Sequence, residues 1–516
     1  MISAGKNHPY LLFVICLALL GKVAAAPTTA PFSGTPSALD TSVDPSGNAF
    51  VVALVSGNIE ALIYQTNGTW SPLFPLYIRG GAEAPVIKTD SNGNALVLWF
   101  QSNSGFDMMA AYYSASDKTW SPAETISGSS ISTPSTPNVE FFGNSGAMGL
   151  WEVNNGGTAY IESALFDQDT QTWGSSTATL PQTGTISNTH FGVNDQGDAL
   201  VVWRLSSAPY LFGASFDGGS KLWGFADPFP NPAGDDRTFL TFALSSASIG
   251  VASWLESSGG TLYLRSTRLN VPLVIPHYYP STFTSVPPIF LFNIEMAISP
   301  SGNAFLIWQE NGGGSINGAN FNGLTGQGST PTNFARSNPA APLLQIGADG
   351  FGNGVGIWRL VDGADNIIQR ATYSAGSQTW GSPSDLYTTT NTVSELSFSI
   401  NAVGNTATVW LEGASTFLLL DNTPAAPSNL QVAVTKNRFT FQTEFAHTVS
   451  WSPSTSPSIA SYKFYVNGEL FAELGANQLS YTVHNCPPKN PVTYQVVAVS
   501  SNGGESSAAS ITYKGK

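Results

Sequence analysis

The chain has 516 residues, of which only 10% are charged, with 51 glycines, 33 prolines and a formal net charge of −14. Sparse charge, abundant turn formers and 12% aromatic residues favour strands and turns over helices. The acidic balance excludes nucleic acid and an anionic membrane surface as partners, since both would be repelled.

Residues 1–26 read as a secretory signal: Lys6 and His8 in a polar head, an apolar core from Tyr10 to Leu20, and a cleavage site at Val23, Ala24, Ala25 and Ala26. That core of eleven residues is too short to span a bilayer. Cys16 lies mid-core behind Phe13, Val14 and Ile15 rather than behind small residues, so a lipoprotein anchor is rejected. Lys6 and Lys22 leave with the signal, so 17 basic residues face 33 acidic ones and the mature charge is near −16. Cys486 is then the one remaining cysteine, which rules out an internal disulfide and a thiolate metal cluster.

From residue 27 onward one unit recurs, clearest from Asp90 to Trp120. Asp90-Ser91-Asn92-Gly93 is a turn, in which an Asp side chain bonds the backbone two residues on and Gly accepts positive φ. The apolar run 94–100 predicts a strand covered on both faces, 108–116 a second, 120–126 a third, and 84–89, before the turn, a fourth. The tryptophan closing the first of these recurs as Trp99, Trp151, Trp203, Trp254, Trp308, Trp358 and Trp410, at separations of 52, 52, 51, 54, 50 and 52 residues. An earlier copy carries Ala53 there, which makes eight units. A corner tryptophan recurs as Trp70, Trp120, Trp173, Trp223 and Trp380.

A period near fifty residues with four strands per copy predicts an all-β fold, an eight-bladed β-propeller over residues 27–421. If one weak copy lies outside the ring, the alternative is seven blades. The eighth copy stops after three strands, so residues 27–36 are expected to complete it. A ring leaves no free sheet edge to aggregate.

After a Pro-rich linker, 422–427, the pattern changes. APSNLQVAV, Trp451 in HTVSWSPS, Tyr462 in IASYKFYVNG and Tyr494 in VTYQVVAVSSNGGES fall in order over 428–516, and this stretch resembles a fibronectin type III domain. The resemblance implies an immunoglobulin-like sandwich used as a spacer or adhesion module; the loop 500–505 has no Arg-Gly-Asp. The corners YSASDKTW, LFDQDTQTW and TYSAGSQTW resemble the second half of a kelch or sialidase-like blade. The first half lacks the paired glycines of kelch and the sialidase Asp-box, and is closer to repeats of uncharacterised bacterial surface proteins. That resemblance carries no active site.

Four chemistries bear on these residues. A sialidase-like site needs converging arginines; the mature chain has nine, with Arg79, Arg204 and Arg359 on different blades. A copper site built on a cysteine–tyrosine cross-link fails, because the propeller has no cysteine. Calcium at Asp44, Asp90 and Asp195 would need six to eight oxygens where each turn offers one or two, so Asx turns explain them better. His190, His277, His447 and His484 share no spacing that would suit zinc or acid–base work. The reading therefore assigns no catalytic residue, no metal and no cofactor.

What remains is the face where the tryptophan strand ends. The repeated tryptophans are expected in shared packing, and the variable polar residues after them as ligand contacts. These are Glu152, Arg204, Glu256, Glu310, Arg359 and Glu412, with Gln101, Ser102, Asn103, Asn154, Asn155, Gln309, Asn311 and Asp362 beside them. Aromatic rings beside amides and carboxylates suit sugars and peptide loops. The chain is accordingly expected to be an exported monomer, secreted or at the cell surface, outer-membrane associated or periplasmic. Its expected role is non-enzymatic recognition or adhesion to a glycan or an extracellular protein. The alternatives are a carbohydrate-active enzyme, sialidase-like or another glycosidase, and a structural envelope protein.

Overall fold

The computed structural model describes residues 26–515 except 129–134, 144, 180, 207–209, 230–235, 259–260, 272–280, 287–290, 311–314, 337–342, 423, 425, 439–442, 455–458, 488–489, 501–504 and 507. The signal reading for 1–25, His277, Asn311 and most of the loop 500–505 fall outside the described residues. Every strand pair is antiparallel, and the strands fall into ten sheets. Among the described residues, no helix is long and apolar enough to cross a membrane.

Eight sheets cover residues 28–421, each built outward from a first strand. In the second sheet these are Ala82–Thr89, Ala95–Ser102 and Phe106–Ser114, followed by two short pairings, Thr119–Trp120 and Glu124–Thr125, on the same third strand. The outer strand expected over 120–126 is split because Pro122 has no N–H to donate to the ladder. Ser121 and Ile126 still bond Tyr112 and Met108 on either side of it. Thr28–Thr29 pairs with Ser415–Asp421 and so supplies the outermost strand of the eighth sheet.

The turn between first and second strands explains the Asp-x-x-Gly-Asn pattern. The Asp90 carboxylate accepts from the backbone N–H of Asn92 and of Asn94, both at 2.8 Å, and from Asn94 Nδ2 at 2.7 Å. Gly93 supplies the positive φ of 85°. Asn94 Oδ1 then accepts from Ala115 N at 2.9 Å, so the pair ties the turn to the corner after the third strand. Asp44 with Asn48 and Asp349 with Asn353 repeat the bonds, reaching Thr66 N and Ala375 N. Asn194 and Asp198 do the same with amide and acid exchanged. In the fifth sheet Ser245 Oγ accepts from Ile249 N at 3.1 Å and Ser248 takes the positive φ.

The first strands of successive sheets touch one another, and Pro36–Val43 of the first sheet also touches Val393–Ile400 of the eighth. A first strand has neighbours in its own sheet on one side only, which would leave backbone N–H groups without partners. At two of the seams, side chains of the preceding sheet satisfy them. Asp40 accepts from Ile87 N at 2.9 Å and Ser42 Oγ from Thr89 N at 3.0 Å. Between the eighth and first sheets, Ser397 Oγ accepts from Thr41 N and Ser399 Oγ from Val43 N, both at 3.1 Å.

The core lies between sheets. Leu96, Leu98 and Phe100 of the second sheet pack with Val139, Trp151 and Val153 of the third, while Trp99 faces the other way onto Phe50 and Val52 of the first. All seven repeated tryptophans are at most 3% exposed. Each therefore contributes on the order of 2–3 kcal/mol of apolar burial.

Beyond residue 427 a three-stranded sheet (Ser428–Arg438, Thr443–Ser452, Ser480–Val483) and a four-stranded sheet share one core that contains Trp451, Tyr462, Phe464 and Tyr494. Ser500 Oγ donates to the Asn422 carbonyl at 3.2 Å, joining this unit to the segment before it.

Candidate functional site

In a strand, residues two apart share a face. The second strand of each sheet from the second to the eighth therefore places its tryptophan and the residue two positions on along the same side. Glu310 Oε1 accepts from Trp308 Nε1 at 3.1 Å. Glu256 accepts from Trp254 Nε1 at 3.4 Å and also from Arg265 Nε at 3.2 Å. In three other sheets the indole finds another partner, Gln182 for Trp203, Gln369 for Trp358 and Glu162 for Trp151, while Trp99 Nε1 has none among the described residues.

The other sequence candidates are also engaged. Glu152 is 7% exposed, and burial raises its pKa against hydrogen bonds from Thr189 and Ser135. Glu412 accepts from Thr389 Oγ1 and Asn391 Nδ2, both at 2.7 Å. Burial pushes its pKa up, but bonds from Asn391, Thr389, Tyr387 and Trp410 outweigh it and hold the carboxyl below its usual range. Arg359 donates to the Val393 carbonyl of the next sheet, and burial lowers its pKa. Arg204 is half-buried opposite Ser187 and Leu211 in its ladder. The six residues stand on six different sheets, from the third to the eighth.

Between the first and second sheets, at this same end, the backbone opens into a cleft of about 640 Å³. Tyr77, Arg79 and Gly80 form one wall, and Gln101, Asn103 and Asp107 the other. Gln101 holds the walls together, donating from Nε2 to the Gly80 carbonyl at 2.9 Å. Gly81, at φ 75°, permits this approach, because a Cβ there would lie 3.1 Å from that nitrogen. Gln101 is 7% exposed and its Oε1 has no hydrogen-bond partner. Asp107 accepts from Asn103 Nδ2 at 3.1 Å. Arg79 is exposed, with no ion pair among the described residues. The cleft thus presents a guanidinium, a carboxylate, two amides and the Tyr77 phenol, donors and acceptors that match hydroxyl and acid groups of a sugar. Of the three arginines weighed for a converging set, Arg79 alone lines it.

Sequence reasoning overlooked Asp40 and Glu295 on the first strands and took His190 only as one of four scattered histidines. The three each stand four residues before the turn residues Asp44, Asn194 and Ser299, so aligning the repeats on the turn would have shown their common place. Lys88 Nζ lies 3.1 Å from Glu140, which raises the lysine pKa. Burial raises the Asp40 pKa, pushes Glu295 up to about 7 and pushes His190 down to about 4. The carboxylates of the turns are taken by amides, and among the described residues no group of His, Cys, Asp or Glu is placed to hold a metal.

No family model matches the chain, and no curated protein matches it. Solved structures do. An ulvan lyase, a polysaccharide lyase in its ligand-bound form, is 12% identical with a TM-score of 0.41, over 77% of this chain and 96% of that one. The polysaccharide lyase Uly1 is 10% identical with a TM-score of 0.46, over 78% of this chain and 100% of that one. An oligogalacturonate lyase in complex with manganese is 10% identical with a TM-score of 0.36, over 62% of this chain and 86% of that one. At such identities no residue's role passes to this chain. All three are described as lyases, against the expectation of a non-enzymatic recognition or adhesion protein, which is corrected here and not carried further.

Proposed function

We propose that this chain is an exported carbohydrate-active enzyme whose substrate lies along the end of the sheets where the tryptophan strands finish. The eight sheets of residues 27–421 are read as the blades of a β-propeller, 1–26 as a signal, 422–427 as a linker and 428–516 as a fibronectin type III-like sandwich in a monomer. The cyclic contacts of the first strands, and the hydrogen bonds between the eighth and first sheets, support the ring. The shared core around Trp451 and Tyr494 supports the sandwich.

The observation that carries the functional reading is the cleft between the first two sheets, lined by Arg79, which has no ion pair among the described residues, by Asp107 and by the buried, unpartnered Gln101 Oε1. A guanidinium that has no protein partner keeps its donors for a ligand oxygen. Asp107 and the Tyr77 hydroxyl are the groups able to move a proton at a glycosidic linkage held there. Glu152, Arg204, Glu256, Glu310, Arg359 and Glu412 lie at the same end of the later sheets, where a long glycan would continue.

The test is incubation of the chain from residue 27 to 516 with neutral and uronate-containing polysaccharides. New reducing ends would report hydrolysis, and the ultraviolet absorbance of an unsaturated uronate would report elimination. Turnover that Asp107→Asn lowers by roughly 100-fold, the scale of one acid–base group, is the expected result. Turnover equal in wild type and in both Asp107→Asn and Arg79→Ala would move the site elsewhere.

A further inference from the structure

Charge is unevenly placed between the two ends of the sheets. Between residues 27 and 421 the lysines are Lys88, Lys118 and Lys221. Lys118 and Lys221 stand in corners after third strands, and Lys88 lies 3.1 Å from Glu140 just before its turn. No lysine of the repeats therefore stands at the end where the tryptophan strands finish.

Among the described side chains, the guanidiniums of that end are Arg79, Arg204, Arg265 and Arg359. Arg265 is paired with Glu256 at 3.2 Å, and Arg359 gives a donor to the Val393 carbonyl. Carboxylates outnumber them. The hairpin after Trp358 sets Asp362 directly across the ladder from Asp365, and Glu395 stands across from Leu411, the residue after Trp410. Burial raises the pKa of Glu395, as it does that of Glu152. With those two set aside, Glu310, Asp362, Asp365 and Glu412 still face Arg204 and Arg359. Glu412 keeps its charge, since its hydrogen bonds hold the carboxyl below the usual range.

Inside the cleft the balance is even, because Arg79 and Asp107 both line it. A carboxylate drawn to the guanidinium would also meet Asp107, and the attraction and the repulsion oppose each other. A hydroxyl meets no such conflict, because it can accept from Arg79 and donate to Asp107. Beyond the cleft, a polyanion would run along a carboxylate-rich face of a chain that carries 17 basic and 33 acidic residues after residue 26.

We propose that the glycan cleaved in the Arg79 cleft is uncharged and that its linkage is broken by hydrolysis, which rests on the carbohydrate reading above and narrows it. A neutral sugar has no carboxylate to acidify the neighbouring C–H, so elimination has no proton to remove. In hydrolysis the oxygen of water bonds to the anomeric carbon while the bond to the glycosidic oxygen breaks. The water gives up one proton and the leaving oxygen gains one, through Asp107 and the Tyr77 hydroxyl.

The experiment compares matched polymers that differ in charge, using the 27–516 chain and counting new reducing ends. The pairs are dextran with carboxymethyl-dextran, hydroxyethylcellulose with carboxymethylcellulose, and alginate and polygalacturonate each with its carboxyl groups converted to primary alcohols. At least one uncharged polymer should be cleaved, without the ultraviolet absorbance of an unsaturated uronate. Its kcat/KM should exceed that of its charged counterpart at least about tenfold at about 0.01 M salt, where fields reach about 30 Å, and the gap should narrow at about 1 M. Turnover of a charged polymer equal to or above that of its uncharged counterpart, or an unsaturated product, overturns this inference and leaves the enzymatic reading standing. No turnover of any polymer overturns both.

Discussion

Replacing Asp90 with alanine removes the hub of the best-formed repeat. The side chain is 5% exposed and accepts from Asn92 N, Asn94 N and Asn94 Nδ2 at 2.7–2.8 Å, and from Gln168 Nε2 of the third sheet. At about 1 kcal/mol net for each of the four bonds, Asp90→Ala should cost roughly 3–4 kcal/mol. Asp90→Asn keeps an oxygen for the two backbone donors but turns an amide toward Asn94 Nδ2, so about half that loss is expected. Twelve of the thirteen tryptophans precede residue 422, so urea unfolding followed by tryptophan fluorescence reports the repeats. The midpoint should fall in the order wild type, Asn, Ala at constant slope. An alanine variant within about 0.5 kcal/mol of wild type would refute the claim that this carboxylate locks turn to corner.

Three further outcomes follow from the same contacts. Calcium or a chelator should leave the wild-type midpoint unchanged, because the Asp44, Asp90 and Asp349 oxygens already hold their own amides; a rise with calcium would revive the metal reading. Trp308→Phe should cost about 1–2 kcal/mol, through the lost indole bond to Glu310 and the void left by the smaller ring, and should do so without altering glycan turnover. Two groups set opposing pH slopes. Burial pushes Glu295 up to about 7, so between its unfolded value of 4.5 and 7 the folded chain holds the extra proton, and this stability is lost as pH rises. Burial lowers the pKa of His447, fully buried against Tyr494 Oη at 2.6 Å, so below 6.5 the unfolded chain takes the proton and the sandwich weakens as pH falls. Melting curves of Glu295→Gln should have a smaller first slope and those of His447→Phe a smaller second one, with His190, which burial pushes down to about 4, supplying the rest of the acid-side loss; unchanged slopes would contradict both assignments.

Much of the scaffold was legible because one local device recurs. Asp90 and Asn94 are four residues apart, and the bonds between them lie within reach of the local chain. The tryptophan period was equally plain, since burial of one large ring per sheet needs no knowledge of the partner sheet. The fifth copy was harder to see because Ser245 and Ser248 do the work of Asp and Gly with different chemistry. That Glu256 and Glu310 serve their neighbouring indoles was available from the two-residue pleat alone, although the sequence reading weighed them only as ligand contacts. The Arg79 cleft was not available. It depends on how the connection between two sheets lies against Gln101, a contact that spans 21 residues to Gly80 and leaves no periodic trace. Asp40 and Ile87 are likewise joined across 47 residues by the docking of two sheets.

The central claim, that the cleft beside Arg79 receives a glycan that is then cleaved, is tested most directly by steady-state kinetics. Wild type and Arg79→Ala would be compared on whichever polysaccharide the panel shows to be degraded. The account predicts a fall in kcat/KM of at least about tenfold, with thermal stability unchanged, as expected for an exposed guanidinium whose partner is the substrate. Equal kcat/KM for the two proteins, or no turnover of any polysaccharide by wild type, would contradict it.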